Sequence, residues 1–174
     1  MKNKDVLSNT EISIIVAYSK NRGIGKNGKI PWKIDEDLKR FKKLTLNNVV
    51  IMGRITFLEI FNKLKAPLPN RENLIISTTE DFSKYGCPTF SKLTEAIVYS
   101  KERFPSKKIF IAGGESLYKQ AISLVDKIYA TEIDLNVEAD RFFPLLNIQE
   151  FDIIQEECFN THVPFRFLTL KRKK

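Results

Sequence analysis

Residues 30–44 read IPWKIDEDLKRFKKL and predict a loop that leads into an amphipathic helix. Pro31 and Trp32 end the loop, and the acids that follow are of the kind that a helix N-terminus favours. Asp35 suits the N-cap position, because its side chain could accept hydrogen bonds from the amides two and three residues on. Glu36 should then turn toward water, which leaves Asp37 as the acid nearest the inner face.

Asp37 lies on the stripe of the helix that should face inward, since Asp37, Phe41 and Leu44 recur at i, i+4 and i+7. An unpaired ionised carboxylate on an apolar face costs several kcal/mol, to an order of magnitude. One interpretation is a first-turn acid that serves only the helix dipole, worth about 0.3–1 kcal/mol. The other is a carboxylate in a mostly apolar pocket that grips a flat, hydrogen-bonding ring. Spacing alone leaves both open.

Length and composition predict one domain. The chain has 174 residues, of which 43% are hydrophobic. This is enough to form a stable hydrophobic core without disulfide bonds or a structural metal ion. We expect a polar lead over residues 1–10 and one domain over 11–174. No apolar run approaches the roughly 20 residues of a membrane span, and the lead lacks the core of a signal peptide, so we expect a cytoplasmic protein with no membrane partner.

Two cysteines, Cys87 and Cys158, and one histidine, His162, argue against a disulfide framework, a metal site or a histidine-based triad. The cysteines are interpreted as inert thiols, and we expect no metal.

The net charge of +8 predicts attraction to anions, either a nucleic acid or a small phosphorylated or polycarboxylate molecule. Much of the excess lies in residues 39–43 and 171–174, which are interpreted as solvated charge. No motif of a common nucleic-acid module is present, so we expect no nucleic-acid partner.

Aliphatic runs separated by helical patterns predict an α/β domain. The runs at 12–17, 49–52, 73–77, 108–112 and 127–134 are typical of buried strands. The segments 151–158 and 164–170 resemble a terminal strand pair, so the sheet should be mainly parallel with an antiparallel edge. The proline-containing connector 63–71 should not be helical.

The connections at the carboxyl ends of these strands carry the binding signals. Residues 18–29 contain three glycines and two asparagines, which predicts a long, mobile lid. Gly53-Arg54 and Gly113-Gly114 each stand between a strand and a helix, where backbone amides meet anions, although such corners are common and the G-x-G-x-x-G spacing is absent. Hydroxyls at Ser77, Thr78 and Thr79 could bind a phosphate or cap a turn.

The order and separation of these segments closely resemble the dihydrofolate reductase family, from about residue 12 to the C-terminus. The resemblance rests on the first strand with its Gly-Ile-Gly loop, Ile30-Pro31-Trp32 with Asp37 and Phe41, residues 50–56, residues 67–71, Gly113-Gly114 with Tyr118, and Thr131. It implies a single-domain α/β fold with a mostly parallel, eight-stranded central sheet, an antiparallel C-terminal edge and about four flanking helices.

The resemblance also implies an activity, in which a hydride passes from NADPH to C6 of 7,8-dihydrofolate and a proton reaches N5, giving tetrahydrofolate. The implied catalytic residues are Asp37, Trp32 and Thr131. The implied substrate contacts are Ile15, Val16, Ile30, Asp37, Leu38, Phe41, Ile60, Leu68, Arg71, Tyr118 and Thr131. The implied cofactor contacts are Ala17, Ile24, Gly25, Gly28, Gly53, Arg54, Ile55, Thr56, Ser77, Thr78, Gly113, Gly114, Glu115, Ser116, Leu117 and Tyr118.

Arg71 would clamp a glutamate carboxylate, and Arg54 with two hydroxyls would take the adenosine 2′-phosphate. Several positions depart from the family pattern. Ala112 is smaller than the residue usual before the two glycines, and an insertion around residues 61–66 lengthens the approach to the glutamate tail. Ile55 stands where a basic residue is common, and Ala139 replaces a glycine of some bacterial members, so the partner loop of the lid could differ. We expect a monomer.

Two rivals are weighed against this interpretation. A pyrimidinone reductase of riboflavin synthesis shares the fold and both glycine corners, but should lack the set Pro31, Trp32, Asp37, Phe41 and Arg71. A basic nucleic-acid-binding domain rests on net charge alone, and its binding should fall steeply with salt.

Overall fold

A computed structural model describes residues 10–174, so the predicted polar lead lies outside the described residues except for Thr10. Within this range the chain forms ten strands and four α-helices. The strands are β1 (Ile12–Ser19), β2 (Gly23–Gly25), β3 (Val49–Gly53), β4 (Glu72–Ile76), β5 (Thr89–Phe90), β6 (Ile109–Ile111), β7 (Lys127–Ile133), β8 (Arg141–Phe142), β9 (Phe151–Phe159) and β10 (Phe165–Arg172). The helices are α1 (Asp35–Thr45), α2 (Arg54–Leu64), α3 (Leu93–Arg103) and α4 (Glu115–Ala121).

Eight strands form one sheet in the order β5-β4-β3-β6-β1-β7-β10-β9, and β2 pairs separately with β8. The pairs from β5 across to β7 are parallel, whereas β10 runs antiparallel to both β7 and β9. The predicted fold class is therefore confirmed. The aliphatic runs form the central strands because parallel strands are covered on both faces and exclude water.

Helices cover both faces of the sheet, and strand alternation divides the core between them. In β3, Val49 and Ile51 pack on the face that carries α3 and α4, while Val50 and Met52 pack with Phe57 of α2 on the other face. All five side chains are fully buried. The strand is therefore apolar at consecutive positions rather than at alternate ones.

The chain order brings two glycine corners together. Strand β6 returns to lie between β3 and β1, so the turn after β6 sits beside the turn after β3. The amide of Gly53 donates to the carbonyl of Gly113 over 2.8 Å. Ligands of open parallel sheets bind at such carboxyl-end crevices, where neighbouring strands lead in different directions.

Two local predictions were wrong. The N-cap of α1 is Ile34 and makes no side-chain capping bond, so Asp35 is the first helical residue. Helix α2 continues through Lys63 and Leu64 and ends at Lys65 in the left-handed region, because the helix-breaking prolines come only later. The predicted lid also contains a short strand, β2.

None of the helices in residues 10–174 is long and apolar enough to cross a lipid bilayer.

Candidate active site

The Asp37 carboxyl group faces inward from the first turn of α1 and meets β7. Its Oδ1 accepts a hydrogen bond from Thr131 Oγ1 over 2.6 Å. Burial raises the pKa of the Asp37 carboxyl above its ordinary value, although the Thr131 hydrogen bond and the positive charge of Arg40 act in the opposite direction. A side chain that only served the helix dipole would remain in water, so the geometry favours the pocket interpretation of Asp37.

Tyr118 joins α4 to the middle of β1. Its hydroxyl donates to the carbonyl oxygen of Ile15 over 2.9 Å, and the side chain is buried. Burial, together with the negative charge of Asp37, raises the pKa of the Tyr118 hydroxyl. Tyr118 therefore stays a neutral donor, and it fixes the β1 backbone beside the acid.

An apolar wall lies between α1 and α2. Phe41, Ile60 and Leu68 pack in one cluster with the inner face of β3. Ile30 and Leu38 are 46% and 55% exposed, which leaves apolar surface available to a ligand. The wall brings together residues from two helices and a connector that lie far apart in the sequence.

Two of the predicted site residues, Trp32 and Val16, are not part of this apolar wall. Trp32 packs against a smaller cluster that includes Ile34 and Ala17. Ile15 and Ala17 share one face of β1, but the side chain of Val16 points to the other face and packs in the main core with Leu117. Only the backbone of Val16 can face the side of β1 on which Asp37 meets Thr131.

Arg71 follows the connector and reaches the end of α1. Its Nη1 lies 3.5 Å from Thr45 Oγ1, and its buried Nε has no hydrogen-bond partner within residues 10–174. A guanidinium with unused donors is suited to a carboxylate, which it can bind through two parallel hydrogen bonds.

A cavity of about 680 Å³ lies beside the two glycine corners. It is lined by all the predicted cofactor contacts except Ala17, Gly113 and Tyr118. Gly113 and Tyr118 adjoin the lining residues Gly114 and Leu117 in sequence, whereas Ala17 is not part of the lining. Its lining also includes Thr79 and two residues of the predicted lid, Asn27 and Lys29. The lining residues that the sequence did not indicate as contacts are Glu59, Ile76, Ser91, Gln120, Asp140 and Arg141.

The hydroxyl at Ser77 serves as a turn cap while it lines the cavity. Its Oγ accepts from the amides of Thr79 and Glu80 over 3.3 and 3.0 Å. A hydroxyl that accepts two amides still has its own proton to donate, so the cap and the phosphate interpretations are compatible.

The lid is held over this cavity by the loop that ends in β8. Gly23 pairs with Phe142 and Gly25 with Arg141, and the Asn27 amide donates to Asp140 Oδ2 over 2.9 Å. Further ties are Asn21 with Val137, Lys26 with Glu138, and the amide of Ile30 with Glu59 Oε1 over 3.2 Å. These contacts join residues more than 25 positions apart in the sequence, so no local sequence pattern predicts them.

Comparison with known proteins agrees with this geometry. A family model described as dihydrofolate reductase matches residues 11–172. The dihydrofolate reductase of Buchnera aphidicola subsp. Acyrthosiphon pisum is 40% identical over 133 residues, which cover 76% of this chain and 78% of that protein. That of Bacillus subtilis is 34% identical over 84% of this chain and 83% of its own length.

A relative and a solved structure extend the likeness to almost the whole chain. The Staphylococcus aureus dihydrofolate reductase is 32% identical over 94% of this chain and 99% of its own length. The structure of dihydrofolate reductase from Enterococcus faecalis, complexed with NADP(H) and RAB-propyl, superposes with a TM-score of 0.83 at 26% identity, covering 94% of this chain and 97% of that one. With a family match of this length and relatives at this identity, the chain belongs to the dihydrofolate reductase family.

Proposed function

We propose that this chain reduces 7,8-dihydrofolate to 5,6,7,8-tetrahydrofolate with NADPH, and that Asp37 anchors the pterin ring. The observation that carries the assignment of Asp37 is an inward-facing carboxyl group bonded to Thr131, near Tyr118 and beside the apolar cluster that includes Phe41. The activity is that of the family to which the chain belongs.

The cavity beside the glycine corners fits a dinucleotide phosphate. A Cβ atom on Gly113, whose φ is +112°, would lie only 3.2 Å from Tyr118 Oη and 3.5 Å from Thr56 Oγ1. Glycine is therefore the residue that fits this position, and its backbone is open to a ligand. Arg54 contributes a forked cation suited to phosphate, and Ser77 and Thr78 contribute hydroxyls. When bound there, NADPH supplies the hydride for the reaction.

We assign Arg54, Ser77 and Thr78 to the adenosine 2′-phosphate and the remaining lining residues to the rest of the cofactor. Ile55 is 49% exposed and carries no charge, so the contact that a basic residue often makes falls to backbone amides and Thr56. The preference for NADPH over NADH would then depend mainly on Arg54.

Asp37 acts on the amino-pyrimidine edge of the pterin, helped by Thr131 and by a water near Trp32. The Thr131 hydroxyl already donates to Oδ1, which fixes the carboxyl plane and leaves Oδ2 for the substrate. Asp37 aids protonation of N5 by polarising the ring rather than by handing over its own proton, because N5 should lie beyond its hydrogen-bond reach.

The rest of the substrate lies along the apolar wall. Phe41, Ile60 and Leu68 would contact the pterin and aminobenzoyl groups, and Leu38 and Ile30 would lose exposed surface on binding. Arg71 would receive the glutamate carboxylate at the end of α1.

The decisive experiment compares Asp37→Asn with Asp35→Asn, an exposed acid in the same helical turn. We expect Asp37→Asn to slow dihydrofolate reduction by about 10²–10⁴-fold, the usual contribution of a positioned acid or base. NADPH binding, followed by quenching of the single tryptophan, should be retained. The assignment of Asp37 fails if Asp35→Asn costs as much activity, or if Asp37→Asn abolishes NADPH binding.

We further propose that the chain works as one cytoplasmic domain, as a monomer and without nucleic acid. The single domain is supported by the one eight-stranded sheet on which the elements that carry the site are built.

A further inference from the structure

Arg40 is a positively charged residue of α1 that does not extend into water. Its Nη1 donates to the carbonyl of Ala130 over 2.9 Å, and its Nη2 donates to the carbonyl of Leu168 over 3.1 Å. The centre of the guanidinium lies 4.5 Å from the ring centroid of Phe167, a distance at which a cation and an aromatic face attract each other. The charge is therefore held at one place across β7 and β10.

That place is next to the catalytic acid. Arg40 follows Asp37 by three residues, so the two side chains leave α1 on neighbouring positions of one face. They contact consecutive residues of β7, Arg40 at Ala130 and Asp37 at Thr131. The same helix thus brings a fixed cation and a partly buried acid to neighbouring residues of β7.

The charged and titratable groups around this pair are few. Asp37 faces Arg40 from α1, Thr131 from β7 and the neutral Tyr118 from α4. Arg40 faces Asp37, Tyr129 of β7 and Glu157 of β9. Burial lowers the pKa of Arg40, but a guanidinium stays protonated at every pH at which the protein is folded.

We propose that Arg40 is a positioning residue that tunes the electrostatic environment of Asp37, and thereby the pH range over which dihydrofolate is reduced. The inference rests on the proposed role of Asp37. A fixed positive charge opposes proton uptake by every neighbouring group, whichever atom of the Asp37–pterin pair holds the proton. Arg40 therefore acts against the burial of Asp37 and keeps the acid from holding its proton to too high a pH.

The first test does not need enzyme activity. Protein labelled with ¹³C at the aspartate carboxyl carbons is titrated by NMR, and the Asp37 signal is assigned by its loss in Asp37→Asn. We expect Arg40→Gln to move the Asp37 midpoint to higher pH, and Arg40→Lys, which keeps the charge, to leave it near the parent value. Lys39→Gln, which removes an exposed charge one residue away, controls for the change in net charge.

The second test follows the single-turnover rate of NADPH oxidation by dihydrofolate across pH. The fall of the rate at alkaline pH should move upward in Arg40→Gln but not in Arg40→Lys or Lys39→Gln. A residue that only ties α1 to the sheet would lower the thermal unfolding midpoint in both Arg40 variants and shift neither profile. Should Arg40→Gln not fold, Arg40→Met keeps the packing on Phe167 and takes its place.

Two results separate this inference from the proposed function. An unchanged Asp37 midpoint in the neutral Arg40 variant overturns the inference and leaves the role of Asp37 standing. A shifted Asp37 midpoint without any change in the rate profile overturns the link to catalysis.

Discussion

At the scale of single residues, Asp37 carries a cost that ligand binding can remove. Burial raises the folded pKa of its carboxyl above the ordinary value of 3.8, so the folded protein favours the neutral form. The stability that this preference gives is present below the unfolded pKa and is lost as pH rises through the folded one. At neutral pH the ligand-free protein therefore holds an ionised Asp37 carboxyl group in a position where burial disfavours its charge.

We expect Asp37→Asn to raise the thermal unfolding midpoint of the ligand-free protein at neutral pH, because asparagine mimics the neutral acid and still accepts from Thr131. The gain should shrink as pH falls below the unfolded pKa, where Asp37 is neutral in both states. Calorimetry of both proteins over a pH series measures this difference. A lower midpoint for Asp37→Asn at neutral pH would mean that the bonds to Thr131 and the Arg40 charge outweigh burial.

Single residues also mark where the sequence is informative. Asp37 could be found because an acid on an apolar stripe breaks a local pattern. Arg40 could not, since one more cation in the run 39–43 is what a solvated helix face looks like. Only the positions of Ala130, Leu168 and Phe167, set by the sheet, distinguish it from its neighbours.

At the scale of elements, the lid depends on a close approach between β2 and the loop before β8. A Cβ added at Gly23 would lie 2.7 Å from the Cβ of Ala139 and 3.1 Å from Ser19 Oγ and from a Val137 methyl. Ala139 thus occupies the space that a side chain at Gly23 would need, and the lid pairs with its partner loop despite the alanine.

We expect Gly23→Ala to push β2 away from β8, at a cost of about 1–3 kcal/mol in stability, as for other overpacked sites. Turnover should fall because the lid no longer rests on residues 137–142. Steady-state kinetics and chemical denaturation of the same samples measure both effects.

Ala139→Gly provides the matched partner in this cycle. The double variant Gly23→Ala/Ala139→Gly should recover part of the lost turnover, because the nearest clash is gone, while Ala139→Gly alone should change turnover little. If Gly23→Ala and the double variant Gly23→Ala/Ala139→Gly have equal turnover, the Gly23–Ala139 contact does not control the lid.

The elements themselves were predictable in proportion to their burial. The central strands are continuous aliphatic runs, and the fold places them as expected. By contrast, β2 and β8 have three and two residues, respectively, and are defined only by pairing with each other across more than 100 positions. Such strands leave no periodic signal, so only the family resemblance connected the loop at Ala139 with the lid, and the pairing itself could not be predicted.

At the scale of the whole molecule, the two cysteine thiols differ in their exposure to solvent. Cys158 is exposed on β9, whereas Cys87 is buried beside Phe82, and burial raises the pKa of its thiol to about 11. We expect one thiol of the native protein to react rapidly with an aromatic disulfide reagent at neutral pH, and the second to react only after unfolding.

The absorbance of the released thiolate measures this reactivity, and Cys158→Ser should remove the rapid phase alone. Rapid reaction of both thiols in the native protein would mean that the segment around Cys87 opens readily, against the burial that the fold gives it.

The outer strand β9 has a further consequence for the molecule in concentrated solution. It is the last strand of the main sheet, and within residues 10–174 its outer side pairs with no other strand. This side could accept a strand from another copy, especially beside the exposed Ile153 and Ile154. Asp152, Glu156 and Glu157 crowd the same strand, so two copies meeting there would bring like charges together. Repulsion along this margin discourages intermolecular strand addition and guards the protein against aggregation.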